Sequence, residues 1–198
     1  MIALILATSR EAAPLLARAG RTRDEHPAPH PAFVDLRPAH DLVLYICGMG
    51  SERARAGAEL LLQQHAVAAV VNVGVAGAVA DSLAMDGIYR VTKTCLWPAT
   101  ETLYTSSGGW WPDLPAAVLA TVAEPVFDPV RRAEIARHAE LVDMEGAAIA
   151  QCCQARGVPW YAIKGVTDLA GEQDRSRLHR NLDRVSERLA ELVWQVVG

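Results

Sequence analysis

The chain has 198 residues, of which 51% are hydrophobic, and its formal net charge is −4 at pH 7. This length and apolar content are enough to bury one sizeable core, so we expect a single domain over residues 1–198. Because the sequence has no long basic run, it offers no electrostatic footprint for nucleic acid or an anionic membrane. A small molecule is the expected ligand.

The cysteine and histidine patterns indicate a reduced protein without a metal site. The four cysteines, Cys47, Cys95, Cys152 and Cys153, are scattered or adjacent, which fits neither a metal knuckle nor a secreted disulfide framework. None of the six histidines forms an HxH or HExxH arrangement. The first apolar run is broken at residues 8–10, well short of a membrane span. We therefore expect a cytoplasmic protein with no metal and no cofactor.

The first half of the chain predicts strands alternating with helices. Each strand is a short apolar run, and each helix has apolar residues at helical spacing. Ser51 is a favourable N-cap for the second helix. Residues 20–33 carry three prolines and mixed charge, which predicts a surface loop. The predicted elements are a strand at 2–7, a helix at 10–19, a strand at 42–47, a helix from 51 to about 65 and a strand at 67–73.

The second half continues the alternation. Asp128 is suited to cap a helix that has Pro129 in its first turn. The glycine and proline density of residues 105–115 predicts an irregular loop. Together the two halves indicate an α/β fold, a three-layer α/β/α domain with a mixed, largely parallel central sheet. The predicted elements are a strand at 88–96, a helix at 129–138, a strand at 141–143, a helix at 144–157, a strand at 160–166 and a closing amphipathic helix at 174–197.

Polar, acidic or glycine-rich segments follow five of the predicted strands. In open α/β sheets, ligands bind in the crevice at the carboxyl ends of the strands. We therefore expect these segments to surround one binding crevice. They are residues 8–11, 48–50, 74–77, 143–145 and 167–168.

Four segments carry a resemblance to known proteins, namely the N-terminal strand and turn, ICGMGSERARAGAELLL, VVNVGVAGAVA, and LVDMEGAAIAQCCQARGVPWYAIKGVTDLA. Together they resemble the family of methylthioadenosine/S-adenosylhomocysteine nucleosidases and their phosphorylase relatives. They follow the family's order and cover most of the chain, with the weakest coverage at residues 96–124, where longer relatives have more residues. The resemblance implies the nucleoside phosphorylase fold, cleavage of the N-glycosidic bond of a purine-type nucleoside, and a homo-oligomer, a dimer or larger.

The most specific part of the resemblance places Met144 and Glu145 at the ribose, and Thr167 and Asp168 at the base. A carboxylic acid at Asp168 can protonate or hydrogen-bond the leaving purine as negative charge builds on it. A carboxylate at Glu145 can accept hydrogen bonds from both ribose hydroxyls. The structural alternatives are a cap or Asx-turn for Asp168 and a first-turn helix position for Glu145.

The resemblance also assigns the remaining walls of the pocket. The glycine-rich segment after residue 73 lets backbone approach the ligand closely. Met49 and Gly50 border the pocket for the sugar's 5′ substituent, and Phe127 lies against the purine. The implied substrate-binding residues are Glu145, Met144, Asp143, Thr167, Met49, Gly50, Val75, Ala76, Gly77 and Phe127.

Hydrolysis and phosphorolysis differ in the molecule that takes up the sugar, which is water in hydrolysis and phosphate in phosphorolysis. Phosphorylase relatives hold phosphate with an arginine directly before the glycine-rich segment and a hydroxyl within it. This chain has Asn72 and Val75 there, which favours hydrolysis. A phosphate-dependent phosphorylase and a non-catalytic nucleoside-binding domain are the alternatives. The candidate anion site is the polar, cationic cluster Thr8, Ser9 and Arg10.

A nucleosidase also needs a base that takes a proton from water, and the family uses a glutamate after its first strand. Glu11 is the nearest candidate, although an ungapped count places the family's glutamate opposite Ala12. The alternative for Glu11 is a surface glutamate in a first helical turn. The predicted catalytic residues are therefore Asp168 and Glu11.

Overall fold

The structure is a computed structural model that describes residues 1–21, 31–36, 40–170 and 176–198. Within the last of these ranges, it describes side chains only from residue 180 onward. It contains the helices and strands that the sequence predicts, in the predicted order, together with three further strands. The elements are β1 (Ile2–Leu6), α1 (Ser9–Arg18), β2 (Ala32–Asp35), β3 (Leu42–Ile46), α2 (Ser51–Gln64), β4 (Ala69–Ala78), β5 (Ile88–Leu96), β6 (Ala99–Thr105), β7 (Ala116–Thr121), α3 (Pro129–Ile135), β8 (Leu141–Asp143), α4 (Gly146–Ala155), β9 (Trp160–Leu169) and α5 (Ser176–Val197).

Four neighbouring strands run parallel and define one edge at which their carboxyl ends meet. β1 lies between β3 and β4, and β4 pairs with β9 on its other side. The turn at Thr8 and the glycines of residues 48–50 follow two of these strands, and Asp168 lies in the last residues of β9. This arrangement brings several of the predicted site segments to one edge of the sheet.

The remaining strands turn the sheet back on itself. β9 pairs antiparallel with β5, β5 pairs parallel with β7, and β7 pairs parallel with β8. β8 then returns antiparallel to β4 through Gly77–Val142 and Ala78–Leu141. The pairings β4–β9–β5–β7–β8–β4 thus form a closed five-stranded ring. The predicted mixed α/β sheet is confirmed, and its closure places the end of β8 beside β4.

The helices cover the two faces of the sheet. Side chains of β1 alternate between the faces, with Ala3 and Ile5 in the core beneath α2 and α4, and Leu4 and Leu6 in the core beneath α1 and α5. A third, smaller core packs Ile135 of α3 against the closed ring. These layers bury both faces of the strands that form the parallel edge.

The helix starts show which local predictions hold. α3 begins as predicted, because the Asp128 side chain accepts the Val130 amide at 3.0 Å. The predicted Ser51 cap of α2 is wrong. Gly50 occupies the N-cap position with φ 102°, a conformation that favours glycine, and the Ser51 hydroxyl instead donates to the Met144 carbonyl at 2.9 Å.

Two strands continue beyond the points at which the sequence predicts that they end. The glycines of residues 74–77 predict a turn, but they belong to β4, because β9 and β8 supply ladder partners on both sides. β9 likewise extends to Leu169, so Thr167 and Asp168 lie in a strand. The register places Ala76 opposite Val166 and Gly77 opposite Asp168, which leaves Thr167 as the extra residue of a bulge.

Three strands were not predicted. β6 contains threonines and a tyrosine with β propensity but is largely exposed and has no continuous apolar run, and β7 is rich in alanine, which is depleted in strands. β2 includes the last two residues of the segment predicted as a loop, of which residues 22–30 lie outside the described residues. The predicted start of the closing helix at residue 174 also lies outside them.

All four cysteines are free and buried. Among the described residues, no helix is long and apolar enough to cross a membrane.

Candidate active site

A fully buried lysine lies at the centre of the site. Lys164 lies in β9 opposite Gly74 of β4, and its side chain is only 2% exposed. Its Nζ pairs with Asp143 Oδ2 at 2.8 Å. Burial opposes the charge of Lys164, but the nearby negative charges of Asp143, Glu145 and Glu11 outweigh it and raise the pKa of the lysine. Lys164 is therefore a fixed positive charge for three carboxyl groups.

Asp143 is held by donors of the protein itself. Its Oδ1 accepts the Thr121 hydroxyl at 2.7 Å and the Glu145 amide at 3.3 Å, and its Oδ2 accepts the Gly146 amide at 2.9 Å in addition to Lys164. These bonds satisfy backbone amides at the start of α4. Asp143 therefore positions the segment that carries Glu145, and its direct contact with a substrate stays a prediction.

Glu145 is buried directly before α4 and reaches across to the turn after β3. Its Oε1 accepts the Gly50 amide at 2.7 Å, and its Oε2 accepts the Met144 amide at 3.3 Å. Burial and the charge of Asp143 raise the pKa of Glu145 to about 7, although Lys164 and the Gly50 amide partly offset them. The charge of this carboxyl group therefore changes near neutral pH.

Glu11 projects from the first turn of α1 toward β4. Its Oε2 accepts the Thr8 amide at 2.9 Å and the Thr8 hydroxyl at 2.7 Å, and its Oε1 accepts the Val75 amide at 3.1 Å. A Cβ at Gly74 would lie 2.9 Å from Oε1, so glycine leaves the space that the carboxylate occupies. Glu11 is buried, which excludes the surface alternative, while Ala12 is fully buried in the core beneath α1.

Asp168 lies on the strand next to β4. Its Oδ1 accepts the Thr167 hydroxyl at 2.8 Å, and its Oδ2 is 3.4 Å from the position of a Cβ at Gly77. The Thr167 carbonyl accepts the Asn181 side-chain amide of α5 at 2.9 Å. Asp168 is therefore a strand residue oriented by its neighbour, and the cap or Asx-turn alternative does not apply.

The apolar residues assigned to the substrate are less enclosed. Met49 is 62% exposed at the turn before α2. Met144 is partly buried against the core at α3, and Phe127 is partly buried directly before the α3 cap. Ala76 is buried in the core beneath α2 and α4. Contacts of these residues with a nucleoside stay predictions.

The Thr8–Ser9–Arg10 cluster directs its main donors at carboxylates of the protein. Arg10 forms a bidentate pair with Asp183 of α5, with Nε–Oδ1 and Nη2–Oδ2 distances of 2.6 and 2.8 Å. The Thr8 hydroxyl donates to Glu11. An anion at this turn would have to displace Asp183 and approach Glu11, so the geometry does not favour the candidate anion site.

The sequence analysis missed the central residue, Lys164, and the Thr121 hydroxyl that holds Asp143. Lysine within the apolar run YAIKGV of a core strand is the pattern that indicates a buried, paired charge. Asn72 is also buried, and its side-chain amide donates to the Ile5 carbonyl at 3.2 Å. Within the described part of the chain, its Oδ1 has no hydrogen-bond partner.

Replacement of Lys164 by glutamine is expected to destabilise the fold by about 3–5 kcal/mol, because Asp143 and its neighbours would be left buried without a cation. Urea unfolding at pH 8 measures the loss. The matched control is the chain's other lysine, Lys93, which is exposed. Replacement of Lys93 by glutamine should lower the free energy of unfolding by less than about 0.5 kcal/mol. Similar small losses in both variants would show that the buried pair contributes little.

The chain can be placed in a known family on its sequence. Residues 99–198, half of the chain, match the family model described as the phosphorylase superfamily. The chain belongs to the phosphorylase superfamily.

Within known proteins, the sequence is similar to an aminodeoxyfutalosine nucleosidase of Campylobacter jejuni, with 26% identity over 87% of each chain. It is also similar to a 5′-methylthioadenosine/S-adenosylhomocysteine nucleosidase of Halalkalibacterium halodurans, with 27% identity over 80% of each chain. The fold is similar to the crystal structure of the Helicobacter pylori nucleosidase of the same name with butyl-thio-DADMe-Immucillin-A. The comparison gives a TM-score of 0.83 and 17% sequence identity, and it covers 98% of this chain and 96% of the Helicobacter pylori chain. The predicted family resemblance and fold are thereby confirmed.

Proposed function

We propose that this protein hydrolyses the N-glycosidic bond of a purine-type nucleoside and releases the free base and the free sugar. The observation that carries the proposal is the buried Glu11 carboxylate at the Val75 amide, 3.1 Å away. It supplies a base beside β4, while Asp168 supplies an acid at Gly77 of the same strand. One carboxyl group for water and one for the leaving base are what this hydrolysis needs.

Each acidic residue has a distinct step in the proposed reaction. Asp168, oriented by the Thr167 hydroxyl, donates a proton or hydrogen bond to a ring nitrogen of the purine as the carbon–nitrogen bond breaks. Glu145 accepts hydrogen bonds from the ribose hydroxyls and stabilises positive charge on the sugar. Glu11 takes a proton from the water that forms the new carbon–oxygen bond. Lys164 supplies positive charge beside Glu11 and Glu145, and Asp143 positions the segment that carries Glu145.

The charge balance of the site supports water rather than phosphate as the acceptor. The Val75 amide already donates to Glu11, and the Asn72 amide donates to the Ile5 carbonyl. A phosphate at this position would also face three buried carboxyl groups that share one lysine. Repulsion in a poorly solvated site would weaken its binding.

The proposed substrate is a 5′-modified adenosine or a related nucleoside such as futalosine. The relatives named above are nucleosidases of 5′-methylthioadenosine, S-adenosylhomocysteine and aminodeoxyfutalosine. Met49, apolar and 62% exposed beside the Gly50–Glu145 contact, supports a pocket that accepts an apolar 5′ substituent.

Incubation with a panel of nucleosides, with and without phosphate, tests the proposed function. The panel contains 5′-methylthioadenosine, S-adenosylhomocysteine, futalosine and aminodeoxyfutalosine, and chromatography follows the base and the sugar. We expect free base and free sugar at a rate that phosphate does not change. Sugar 1-phosphate would identify a phosphorylase instead. Binding without any release of base would identify a nucleoside-binding domain.

Affinity for ribonucleosides is expected to increase as the pH rises through about 7, the pKa of Glu145, because the ionised carboxylate is the stronger acceptor for the sugar hydroxyls. Glu145→Gln should remove this pH dependence. It should also weaken binding of ribonucleosides more than binding of their 2′-deoxy analogues. KM values for ribonucleosides and their 2′-deoxy analogues between pH 5.5 and 8.5 measure the effect. Equal losses of affinity for the two kinds of nucleoside would show that Glu145 does not contact the sugar hydroxyls.

We further propose a cytoplasmic homo-oligomer, a dimer or larger. Four free, buried thiols support a reducing compartment. The resemblance to the nucleosidase family implies the homo-oligomer. Cell fractionation and sedimentation velocity test the two parts of this proposal.

A further inference from the structure

A cavity of about 260 Å³ is lined by residues of β5, β6, β9 and the segment after β6. Tyr161 and Ala162 line it near the start of β9, whereas Asp168 lies near the end of the same strand. At about 3.3 Å per residue, Tyr161 and Asp168 are separated by roughly 23 Å. The cavity therefore lies toward the opposite end of β9 from Asp168.

Three aromatic side chains form one wall of this cavity. Trp110 stacks on Tyr161 with a centroid distance of 4.2 Å and an interplanar angle of 7°, and it stands nearly perpendicular to Trp111. Trp111 has φ 50°, a backbone conformation that is disfavoured for a bulky residue. Its buried indole donates to the Leu192 carbonyl at 3.0 Å, which holds it there. The stacked pair and the Trp111–Leu192 hydrogen bond thus hold the aromatic wall in place.

The charged lining of the cavity is entirely basic. Arg90 and Lys93 line it from β5, and the described part of the chain contributes no acidic lining residue, although the chain as a whole has a net charge of −4. The Arg90 Nε donates to the Leu114 carbonyl at 3.1 Å. Among the described residues, neither Arg90 nor Lys93 has an ion pair with a carboxylate. Other arginines do have such pairs, namely Arg10, Arg18, Arg132 and Arg184.

We propose that this cavity binds a small planar aromatic anion, with its ring against the Trp110 and Tyr161 wall and its anionic group at Arg90 and Lys93. A guanidinium makes strong charge-assisted hydrogen bonds with a carboxylate or phosphate, and the aromatic wall favours a flat ring. The volume lies just below the roughly 300–1,000 Å³ typical of small-molecule pockets, which restricts the ligand to one ring system.

Isothermal titration calorimetry with naphthalene-2-carboxylate tests this proposal, and the neutral naphthalene-2-carboxamide is the matched ligand. We expect the carboxylate to bind at least about tenfold more tightly than the carboxamide, because hydrogen bonds to charged groups are the stronger ones. Arg90→Gln and Lys93→Gln should each reduce the affinity for the carboxylate several-fold. Arg53→Gln, which removes an exposed cation of α2, should leave it unchanged.

We also expect naphthalene-2-carboxylate to bind in this cavity independently of the active site. Asp168→Asn should bind naphthalene-2-carboxylate as the unmodified protein does, and saturating adenine should not compete with it. Lys93 is exposed, so its replacement keeps the test valid even if Arg90→Gln fails to fold. Equal affinity for the two naphthalene ligands, competition by adenine, or no binding at millimolar concentration would each overturn the proposal.

Discussion

Replacement of Asp168 by asparagine is expected to lower kcat for nucleoside hydrolysis by at least about a hundredfold, since a carboxamide cannot donate the proton on which departure of the purine depends. Substrate binding should be largely preserved. The asparagine oxygen can still accept the Thr167 hydroxyl, which lies 2.8 Å from the present carboxylate oxygen. Steady-state kinetics on the best nucleoside of the panel measure kcat and KM separately.

Thr167→Val is the matched control for this variant. It removes the hydroxyl that orients Asp168 but keeps the acid, so we expect a smaller loss of kcat than with Asp168→Asn. A variant Asp168→Asn that turns over at a near-normal rate would remove this residue from the mechanism, whatever Thr167→Val does.

Glu11→Gln is expected to reduce hydrolysis by about a hundredfold, because the amide no longer takes a proton from the attacking water. The carboxamide has a single acceptor oxygen, so it keeps the hydrogen bonds of Thr8 or that of Val75 but not both. The accompanying loss of stability should be about 1–3 kcal/mol. Rates measured well below the unfolding temperature separate the chemical effect from the structural one.

Arg10→Ala is the control for Glu11→Gln, because Arg10 directly precedes Glu11 in α1. Arg10 is paired with Asp183 on the surface, so its loss should change the hydrolysis rate little and stability by no more than about 1 kcal/mol. A rate that depends on phosphate and collapses in Arg10→Ala would contradict hydrolysis and identify the turn as an anion site.

The parts of the fold that follow from local chemistry were predictable from the sequence. Continuous apolar runs such as residues 42–47 indicate strands buried on both faces, and Asp128 followed by Pro129 indicates a helix start. Each of these features depends on residues adjacent in the chain. Four of the five site segments were predictable for the same reason, since they follow or end strands of the parallel edge, whereas residues 143–145 follow β8, which pairs antiparallel with β4.

The closed ring and the central lysine depend on contacts between distant residues. Nothing within β4 indicates that β8 will return to pair with Gly77, so the glycines of residues 74–77 look like a turn. The role of Lys164 likewise depends on Asp143, which β8 brings to it from another part of the chain. A single lysine in an apolar strand indicates that a partner exists but does not identify that partner.

The bulge at Thr167 separates β9 into two stretches with different registers against β4. Up to Val166, successive residues of β9 pair with successive residues of β4. Thr167 is the extra residue of the bulge, so Asp168 is the residue that pairs with Gly77. Since side chains alternate along a strand, a change of one residue in length there would turn the Asp168 carboxyl group to the opposite face. Substitutions within the core stretch leave the number of residues unchanged. The position of the acid is therefore sensitive to insertion and deletion in this strand, and much less so to changes in the packing beneath it.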